Sequence, residues 1–181
     1  ADEVVSDELR AEIEAEFKRG PGDTAGYRFP RMVYYLGKWI RHGEWYPDIK
    51  LRLFLKDRGH SAGEEPHDRV VVDGPIKTLR FPLHHFTYDD VTDHLNTLNR
   101  FSTISAAQKY ARGEKFRWRD LVFRPPWRLF KSLFIKRGIL DGRQGLIIAV
   151  MTTFGVFIKY AKLMELWIKH HQPQGDHGHH D

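Results

Sequence analysis

The sequence predicts an α/β chain whose first half combines one helix with short strands and whose second half is helical. Three observations predict this fold class. Apolar residues recur at helical spacing directly after Ser6. Alternating and aromatic-rich runs dominate residues 26–81, as is typical of strands. Beyond residue 90 the helical spacing returns, and a long uncharged run follows residue 144.

The first helix has start and stop signals as well as the right spacing. Ser6 is a favourable N-cap, and Leu9, Ile13 and Phe17 recur at i, i+4 and i+8 on one face. Two basic residues occupy the last turn before 20–22, a Gly-Pro-Gly sequence that cannot continue a helix.

The strands of the first half are predicted from two kinds of run. Residues 27–29 and 32–36 are aromatic-rich, and Pro30 between them predicts a break or a sheet edge. Residues 51–55 alternate in polarity, as expected for a half-buried strand. The intervening segment, 37–48, is too polar for a core element and too aromatic for a loop that only connects two strands.

A polar loop over 56–66 separates these strands from two more. Residues 69–72 read as a short strand closed by a turn, and 76–81 as its neighbour. A helix is predicted from Val91, whose face continues through Leu95 and Leu98 towards Gly113.

Composition excludes several classes of protein. The 181 residues are 41% hydrophobic, enough apolar material for a folded core, so a disordered chain is excluded. The absence of cysteine excludes a disulfide scaffold, a thiolate zinc site and a cysteine nucleophile. A net charge of +5 fits anionic partners such as lipid headgroups, nucleic acid or phosphorylated substrates.

The basic charge is concentrated in the last third of the chain. Residues 112–143 hold ten Lys or Arg against three acids, with aromatic side chains interleaved. The uncharged run 145–158 would span about 21 Å as a helix, short of the roughly 30 Å hydrocarbon core of a bilayer. Cations and aromatic rings beside such a run favour a helix lying at the membrane surface. A core helix, a partner interface and a spanning helix remain alternatives, and nucleic acid explains the apolar run less well.

The candidate membrane-contacting residues belong to this segment. They are Trp118, Trp127, Arg128, Phe130, Lys131 and Phe134. We divide the chain into residues 1–111, the basic helical region 112–169 and a His-rich tail, 170–181, that we expect to be disordered.

Three polar clusters in the first half are candidates for chemistry. Asp2 and Glu3 are the first, and ordinary surface charge is their simplest explanation. The second, Glu64, Glu65, His67 and Asp68, suits a metal or a carboxylate base, but also a solvated loop.

The third cluster combines aromatic rings with cations. It consists of Arg41, His42, Trp45, Tyr46 and Arg52. Aromatic faces and guanidinium groups suit sugar rings and phosphates, and packing of the two aromatic rings is the alternative. For His84 and His85 a capping or core role is favoured over catalysis. The chain contains no complete motif of a nucleotide hydrolase, dinucleotide binder, hydrolase triad or kinase.

Taken in order, short segments of the chain resemble the C-terminal half of inverting family 2 glycosyltransferases. The resemblance is to the bacterial group that includes lipopolysaccharide-core glucosyltransferases. The segments are 1–6, 39–48, 51–54, 67–70, 83–88, 99–102, 125–128, 138–142 with Gly145, and 159–163. Each is weak alone, but together they run in register over nearly the whole chain.

The resemblance implies the acceptor-binding half of a GT-A fold with a helical, membrane-associated extension. In the family pattern an Asp-Ala-Asp-Glu motif holds a divalent cation, Mg²⁺ or Mn²⁺, and Asp2 matches its second carboxylate. The first carboxylate and the nucleotide-binding strands would precede Ala1, so we interpret the chain as a fragment that is inactive alone.

The resemblance also implies roles for individual residues. His67-Asp68 stands where the family commonly has His-Glu, so Asp68 is the candidate base, one methylene shorter than its counterpart. The candidate acceptor-binding residues are Arg41, His42, Trp45, Tyr46, Arg52, His67, Asn99 and Arg100.

The implied partners are a nucleotide-sugar donor, a lipid-linked saccharide acceptor and an anionic membrane surface, without nucleic acid. The implied location is the cytoplasmic face of the bacterial inner membrane, as a peripheral protein. The implied process is lipopolysaccharide core biosynthesis. The alternative is a non-catalytic module that binds a membrane surface or a protein partner.

Overall fold

The computed structural model describes residues 2–62 and 69–171, which form two compact units, Ala1–Thr87 and Tyr88–Asp181. The division falls earlier than the boundary after residue 111 that the sequence suggested. The difference arises because the helix beginning at Val91 packs along the last helix of the chain.

The first unit is built on a six-stranded sheet. Its elements in chain order are β1 (Glu3–Val5), α1 (Asp7–Arg19), β2 (Gly26–Tyr35), β3 (Lys38–Trp39), a 3-10 turn (Gly43–Trp45), β4 (Asp48–Phe54), β5 (Gly59–Ala62), β6 (Arg69–Val72), β7 (Ile76–Thr78) and β8 (Leu83–Phe86). The mixture of sheet and helices confirms the predicted α/β class.

Helix α1 begins and ends where the sequence predicts. The Ser6 hydroxyl accepts a hydrogen bond from the Leu9 amide at 3.2 Å and donates to the Pro82 carbonyl at 2.9 Å, so the cap also ties the helix to the segment before β8. Gly20 follows the helix with a positive φ of 85°. Leu9 is fully buried against Tyr27 and Phe29 of β2 in the core of this unit.

Strand β2 is the centre of the sheet, and the predicted break at Pro30 is wrong. The strand is continuous, pairing antiparallel with β3 and β4 and parallel with β7 and β8. Strand β7 pairs with residues 26–28 and β8 with residues 31–34, so Pro30 lies in the gap between its two parallel partners. A residue without an amide hydrogen is tolerated there because neither β7 nor β8 is paired with it.

The predicted pairing of the two strands after residue 68 is also wrong. Strand β6 forms a two-stranded sheet with β5, whereas β7 joins the main sheet beside β2. Alternation of polarity marks each run as a strand but carries no information about which neighbour it chooses.

The second unit is helical. Its elements are α2 (Val91–Ala111), α3 (Trp118–Phe130), a π-helical segment (Lys131–Ile135), a 3-10 turn (Gly138–Asp141) and α4 (Arg143–His171). Asp90 caps α2 by accepting from the Asp93 amide at 2.7 Å. The core joins Ala106 of α2, Leu121 of α3, and Tyr160 and Leu163 of α4.

Helix α4 has 29 residues and extends well beyond the uncharged run. It is the helix in the described part of the chain that is long and apolar enough to cross a membrane, with a mean hydropathy of 1.6 over its most apolar window. Of the predicted disordered tail, 170–181, His170 and His171 belong instead to the last turn of α4. Residues 172–181 lie outside the described residues.

Two glycines allow the 3-10 turn to pack on the start of α4. A Cβ atom added to Gly145 would lie within 2 Å of the Gly138 carbonyl oxygen and 3.1 Å from the Asp141 Cβ. This contact is with backbone, which cannot rotate away as a side chain would.

We expect Gly145→Ala to destabilise the second unit by about 2 kcal/mol or more, because the added methyl group must displace the backbone of the turn. Urea unfolding followed by circular dichroism measures this loss. Leu146→Ala, at a half-exposed neighbouring position, is the control and should cost under about 1 kcal/mol. Equal stability of Gly145→Ala and the native chain would contradict the close packing of turn and helix.

Candidate functional site

The first two carboxylates of the chain lie at the pairing of β1 with β8. The Phe86 amide donates to the Asp2 carbonyl oxygen at 2.8 Å, and Glu3 lies opposite His85. The Asp2 side chain is exposed, with one carboxylate oxygen 3.5 Å from Nδ1 of the buried His85 ring. Burial, followed by the charge of Arg31, lowers the pKa of His85, so the ring is neutral at pH 7.

Glu3 is held by two arginines from neighbouring strands. Its carboxylate accepts from Arg31 of β2 at 3.2 Å and from two nitrogens of Arg52 of β4, both at 3.2 Å. Arg31 also donates to Asp48, the first residue of β4, at 2.7 and 3.0 Å. We call Glu3, Arg31, Asp48 and Arg52 the charge network.

The network sets the ionisation of Glu3. Burial opposes the charged form, but the hydrogen bonds and charges of Arg52 and Arg31 together outweigh it, so the net pKa of Glu3 is lowered. Glu3 is therefore an ionised anchor, whereas Asp2 presents its carboxylate to solvent.

The charge network connects residues 39–48, which we call the acceptor motif, to the carboxylate pair Asp2 and Glu3. The motif segment, which includes Arg41 and His42, passes through the 3-10 turn, where the Trp45 ring packs edge-on against Tyr35 with 5.1 Å between centroids. The Tyr46–Pro47 peptide bond is cis, and Asp48 follows directly. Trp45 thus packs against Tyr35 while its side chain stays partly exposed, and its acceptor-binding role stays a prediction.

An aromatic cluster lies beside Asp2 that sequence reasoning missed. Trp39 stacks on His84 with 4.2 Å between ring centroids and lies 5.5 Å from Phe86 and 5.0 Å from Tyr34. Phe86 is half exposed, and its backbone amide is the one bonded to Asp2. Exposed aromatic faces suit a polyol ring, whose C–H groups pack on them.

The alternating side-chain directions expected for a strand over residues 83–86 are the sequence signal that could have predicted this cluster. Strand β8 has Leu83 and His85 buried, whereas His84 and Phe86 point to the opposite face. The missing information was long-range: Trp39 reaches β8 because β3 and β8 both pair with β2.

The remaining predicted site residues fall outside the described residues or belong to the second unit. His67 and Asp68, together with Glu64 and Glu65, fall outside the described residues. Asn99 and Arg100 belong to α2 of the second unit, where Asn99 accepts from Lys162 at 2.6 Å and Arg100 lies over the Phe101 ring.

The described residues do not by themselves supply a divalent-cation site. Across residues 2–62 and 69–171, no three His, Asp or Glu side chains converge as ligands for a metal. Asp2 offers one exposed carboxylate, and both oxygens of Glu3 are used by arginines. The sequence-based expectation of Mg²⁺ or Mn²⁺ therefore stays a prediction.

The predicted membrane-contacting rings are exposed on the second unit. Trp118 is 66% exposed and Trp127 is 59% exposed. Trp127, Phe130 and Phe134 follow one another along one face, with centroid distances of 5.8 and 5.3 Å. Arg128 and Lys131 lie between these rings, each partly buried. Ile139 and Leu140 of the 3-10 turn extend the exposed apolar surface. We call the exposed rings and the two turn residues the apolar face.

Curated relatives match nearly the whole chain. An uncharacterized glycosyltransferase of Rickettsia typhi is 26% identical over 181 residues, covering 93% of this chain and 61% of the relative. The lipopolysaccharide core biosynthesis glycosyltransferase LpsC of Rhizobium meliloti is 26% identical over 168 residues, covering 91% and 62%. A Rickettsia prowazekii glycosyltransferase is 27% identical, covering 93% and 61%.

The predicted resemblance to bacterial glycosyltransferases is confirmed. This glycosyltransferase-like chain spans about three fifths of the length of the curated relatives it matches. No family model and no solved structure matches it significantly.

Removing the charge of Glu3 tests the charge network. We expect Glu3→Gln to lower the free energy of unfolding by roughly 1 kcal/mol at pH 7, because Arg31 and Arg52 lose a shared anion. A lowered pKa in the folded state stabilises the protein above the ordinary value of 4.5, and this stabilisation disappears as pH falls through the folded-state pKa. The difference between variant and native chain should therefore vanish in acid.

Chemical denaturation at a series of pH values measures this difference. Glu14→Gln, at an exposed position of α1, is the matched control and should have little effect at any pH. A Glu3→Gln effect that does not depend on pH would indicate lost packing and contradict the electrostatic account.

Proposed function

We propose that this chain is the acceptor-side part of an inverting family 2 glycosyltransferase of GT-A type. It would act on a lipid-linked surface glycan, with the lipopolysaccharide core as the leading candidate. The observation that carries the proposal is the placement of the acceptor motif, an exposed carboxylate and an aromatic cluster around one region of a single sheet. The similarity to LpsC supports the choice of glycan.

The described residues support recognition of a saccharide more directly than they support catalysis. The cluster around Trp39 offers an aromatic surface, and Asp2, whose backbone is bonded to Phe86, offers an exposed carboxylate that can accept from sugar hydroxyls. The charge network fixes the strands that carry both. An acceptor site requires both an aromatic surface and polar groups, because a saccharide is oriented by stacking and by directional hydrogen bonds.

For the chemical step we propose Asp68 as the base. In an inverting transfer a carboxylate accepts the proton of the acceptor hydroxyl while that oxygen bonds to the anomeric carbon and the nucleoside diphosphate leaves with the bonding electron pair. The divalent cation that the resemblance implies offsets charge on the leaving diphosphate when it is bound. Asp2 is the described residue proposed to contribute to its coordination.

We further propose that the enzyme works on the cytoplasmic face of the inner membrane as a peripheral protein, with the apolar face against the bilayer. Exposed tryptophan and phenylalanine rings among basic residues are typical of helices at headgroup level. In the most apolar window of α4, 28% of the residues are buried within the chain, and α4 packs along α2 and α3.

Saccharide binding by the 181-residue chain tests the acceptor assignment. We expect deacylated lipopolysaccharide core oligosaccharide to bind in calorimetry, and Arg41→Gln to weaken this binding several-fold because the acceptor motif loses a donor. Arg10→Gln, an exposed change on α1, should leave binding unchanged.

The same calorimetry with UDP-sugars and Mn²⁺ separates the alternatives. Roughly micromolar binding of a UDP-sugar would place the donor site within these residues and contradict the acceptor-side assignment. Binding of neither saccharide nor donor would favour the non-catalytic module.

Co-sedimentation with anionic vesicles tests the membrane assignment. We expect the chain to pellet with phosphatidylglycerol vesicles, less so in high salt. Arg117→Gln with Arg119→Gln should weaken binding more than tenfold, since each cation near the surface contributes about 1 kcal/mol. The control, Arg10→Gln with Lys18→Gln, removes the same charge from exposed positions of the first unit and should have a smaller effect. Equal recovery in the supernatant with and without vesicles would contradict the assignment.

A further inference from the structure

A pocket of about 240 Å³ lies between α2 and α4 in the second unit, next to Asn99 and Arg100 along α2. Helix α2 contributes Ser102 and Ser105 to its lining, and α4 contributes Thr152 and Lys159. Gly155 allows the close approach that forms its apolar floor, since a Cβ atom there would lie 3.2 Å from the Leu98 side chain.

Three donors in this pocket have no hydrogen-bond partner among residues 2–62 and 69–171. They are the hydroxyls of Ser105 and Thr152 and the ammonium group of Lys159. Neighbouring polar groups are used: the Thr153 hydroxyl donates to the Ala149 carbonyl at 2.8 Å, and the Ser102 hydroxyl donates to Asn99 and accepts from Lys162. These three donors are therefore available to a ligand that accepts several hydrogen bonds.

Positive charge converges around Tyr160, the neighbour of Lys159 in α4. Three cations lie within 6 Å of the centroid of the Tyr160 ring: Lys159 at 5.0 Å, Arg124 at 5.3 Å and Lys109 at 5.8 Å. The nearby acids are already paired, because Asp120 accepts from Arg124 and Glu114 accepts from Lys109. In the described part of the chain Lys159 has no carboxylate within ion-pairing distance.

The pKa of Lys159 reflects this excess of positive charge. Burial first, and then the charges of Lys109, Arg124 and Arg128, lower the pKa of Lys159. A bound anion would offset both effects, because it supplies the counter-charge that the fold omits. His94, also in the lining, has its pKa lowered by burial, so the cationic charge lining the pocket at pH 7 is that of Lys159.

We propose that this pocket binds a phosphate monoester group, with Lys159 as its charge partner and the Ser105 and Thr152 hydroxyls as donors. A phosphate monoester carries close to two negative charges at pH 7 and has three oxygens that accept hydrogen bonds, which matches one ammonium and two hydroxyls. The volume exceeds that of the phosphate group alone, and the apolar floor formed by Leu98 and Val156 accommodates part of the molecule that carries it.

Titration of the 181-residue chain with inorganic phosphate, followed by calorimetry, tests the site. We expect Lys159→Gln to weaken binding about tenfold and Thr152→Val to weaken it several-fold, since hydrogen bonds to charged groups are the strong ones. Lys169→Gln and Thr153→Val are matched controls on the same helix and should leave binding unchanged. Circular dichroism establishes that each variant is folded.

Vesicles distinguish a free ligand from a lipid headgroup. Phosphatidic acid carries a phosphate monoester, whereas phosphatidylglycerol carries a diester. A preference for phosphatidic acid that Lys159→Gln removes would support the site with a lipid headgroup as its source. Lysine-dependent binding of inorganic phosphate without that preference would support the site with a soluble ester.

The proposal is overturned if a folded Lys159→Gln chain binds inorganic phosphate and phosphatidic acid vesicles as the native chain does, or if the native chain binds neither. The site does not depend on glycosyl transfer, so the two proposals can fail separately. Loss of saccharide binding would leave the phosphate result unaffected.

Discussion

The ion pairs of Arg31 hold the first unit together at the point where its candidate chemistry lies. This one side chain reaches Glu3 of β1 and Asp48 of β4, two strands that both depend on β2 for their position. Arg52 closes the arrangement by reaching Glu3 from β4. Because Arg31, Glu3 and Asp48 are partly shielded from water, their mutual attraction is screened less than that of a surface pair. Arg52 is more exposed, so its pair with Glu3 is screened more strongly.

The consequence is that segments far apart in sequence act as one surface. The acceptor motif ends at Asp48, the carboxylate pair begins at Asp2, and the aromatic cluster is completed by Phe86, whose amide is bonded to Asp2. Hydrogen bonds of β1 with β8, and of β8 with β2, bring these three segments to one region. A surface held in this way has little conformational freedom to lose on binding a ligand.

The sequence was sufficient to predict those helices and strands whose positions are determined by residues close to them in the chain. Helix α1 could be predicted because Ser6 and Gly20 mark its ends and Leu9 starts its apolar face. Strand β4 could be predicted from its alternation. The prediction of a break at Pro30 was wrong because β2 tolerates a proline between the ends of β7 and β8. The positions of those ends are a property of the assembled sheet.

The candidate site shows the same limit. The motif around Trp45 and the basic aromatic region after residue 112 could be found from residue types alone. The partners of Glu3, the stacking of Trp39 on His84 and the donors around Lys159 depend on contacts across strands or helices, which periodicity does not reveal. The chain's two units also divide where tertiary packing, and not composition, changes.

The two arginines around Glu3 have a consequence for the route of the proton in any transfer reaction. A carboxylate that is stabilised as an anion on both oxygens is a weak proton acceptor, since protonation would break bonds to two cations at once. Glu3 therefore serves the architecture of the sheet and not acid–base exchange. The group that receives a hydroxyl proton must be another one, with a free lone pair and fewer positive neighbours.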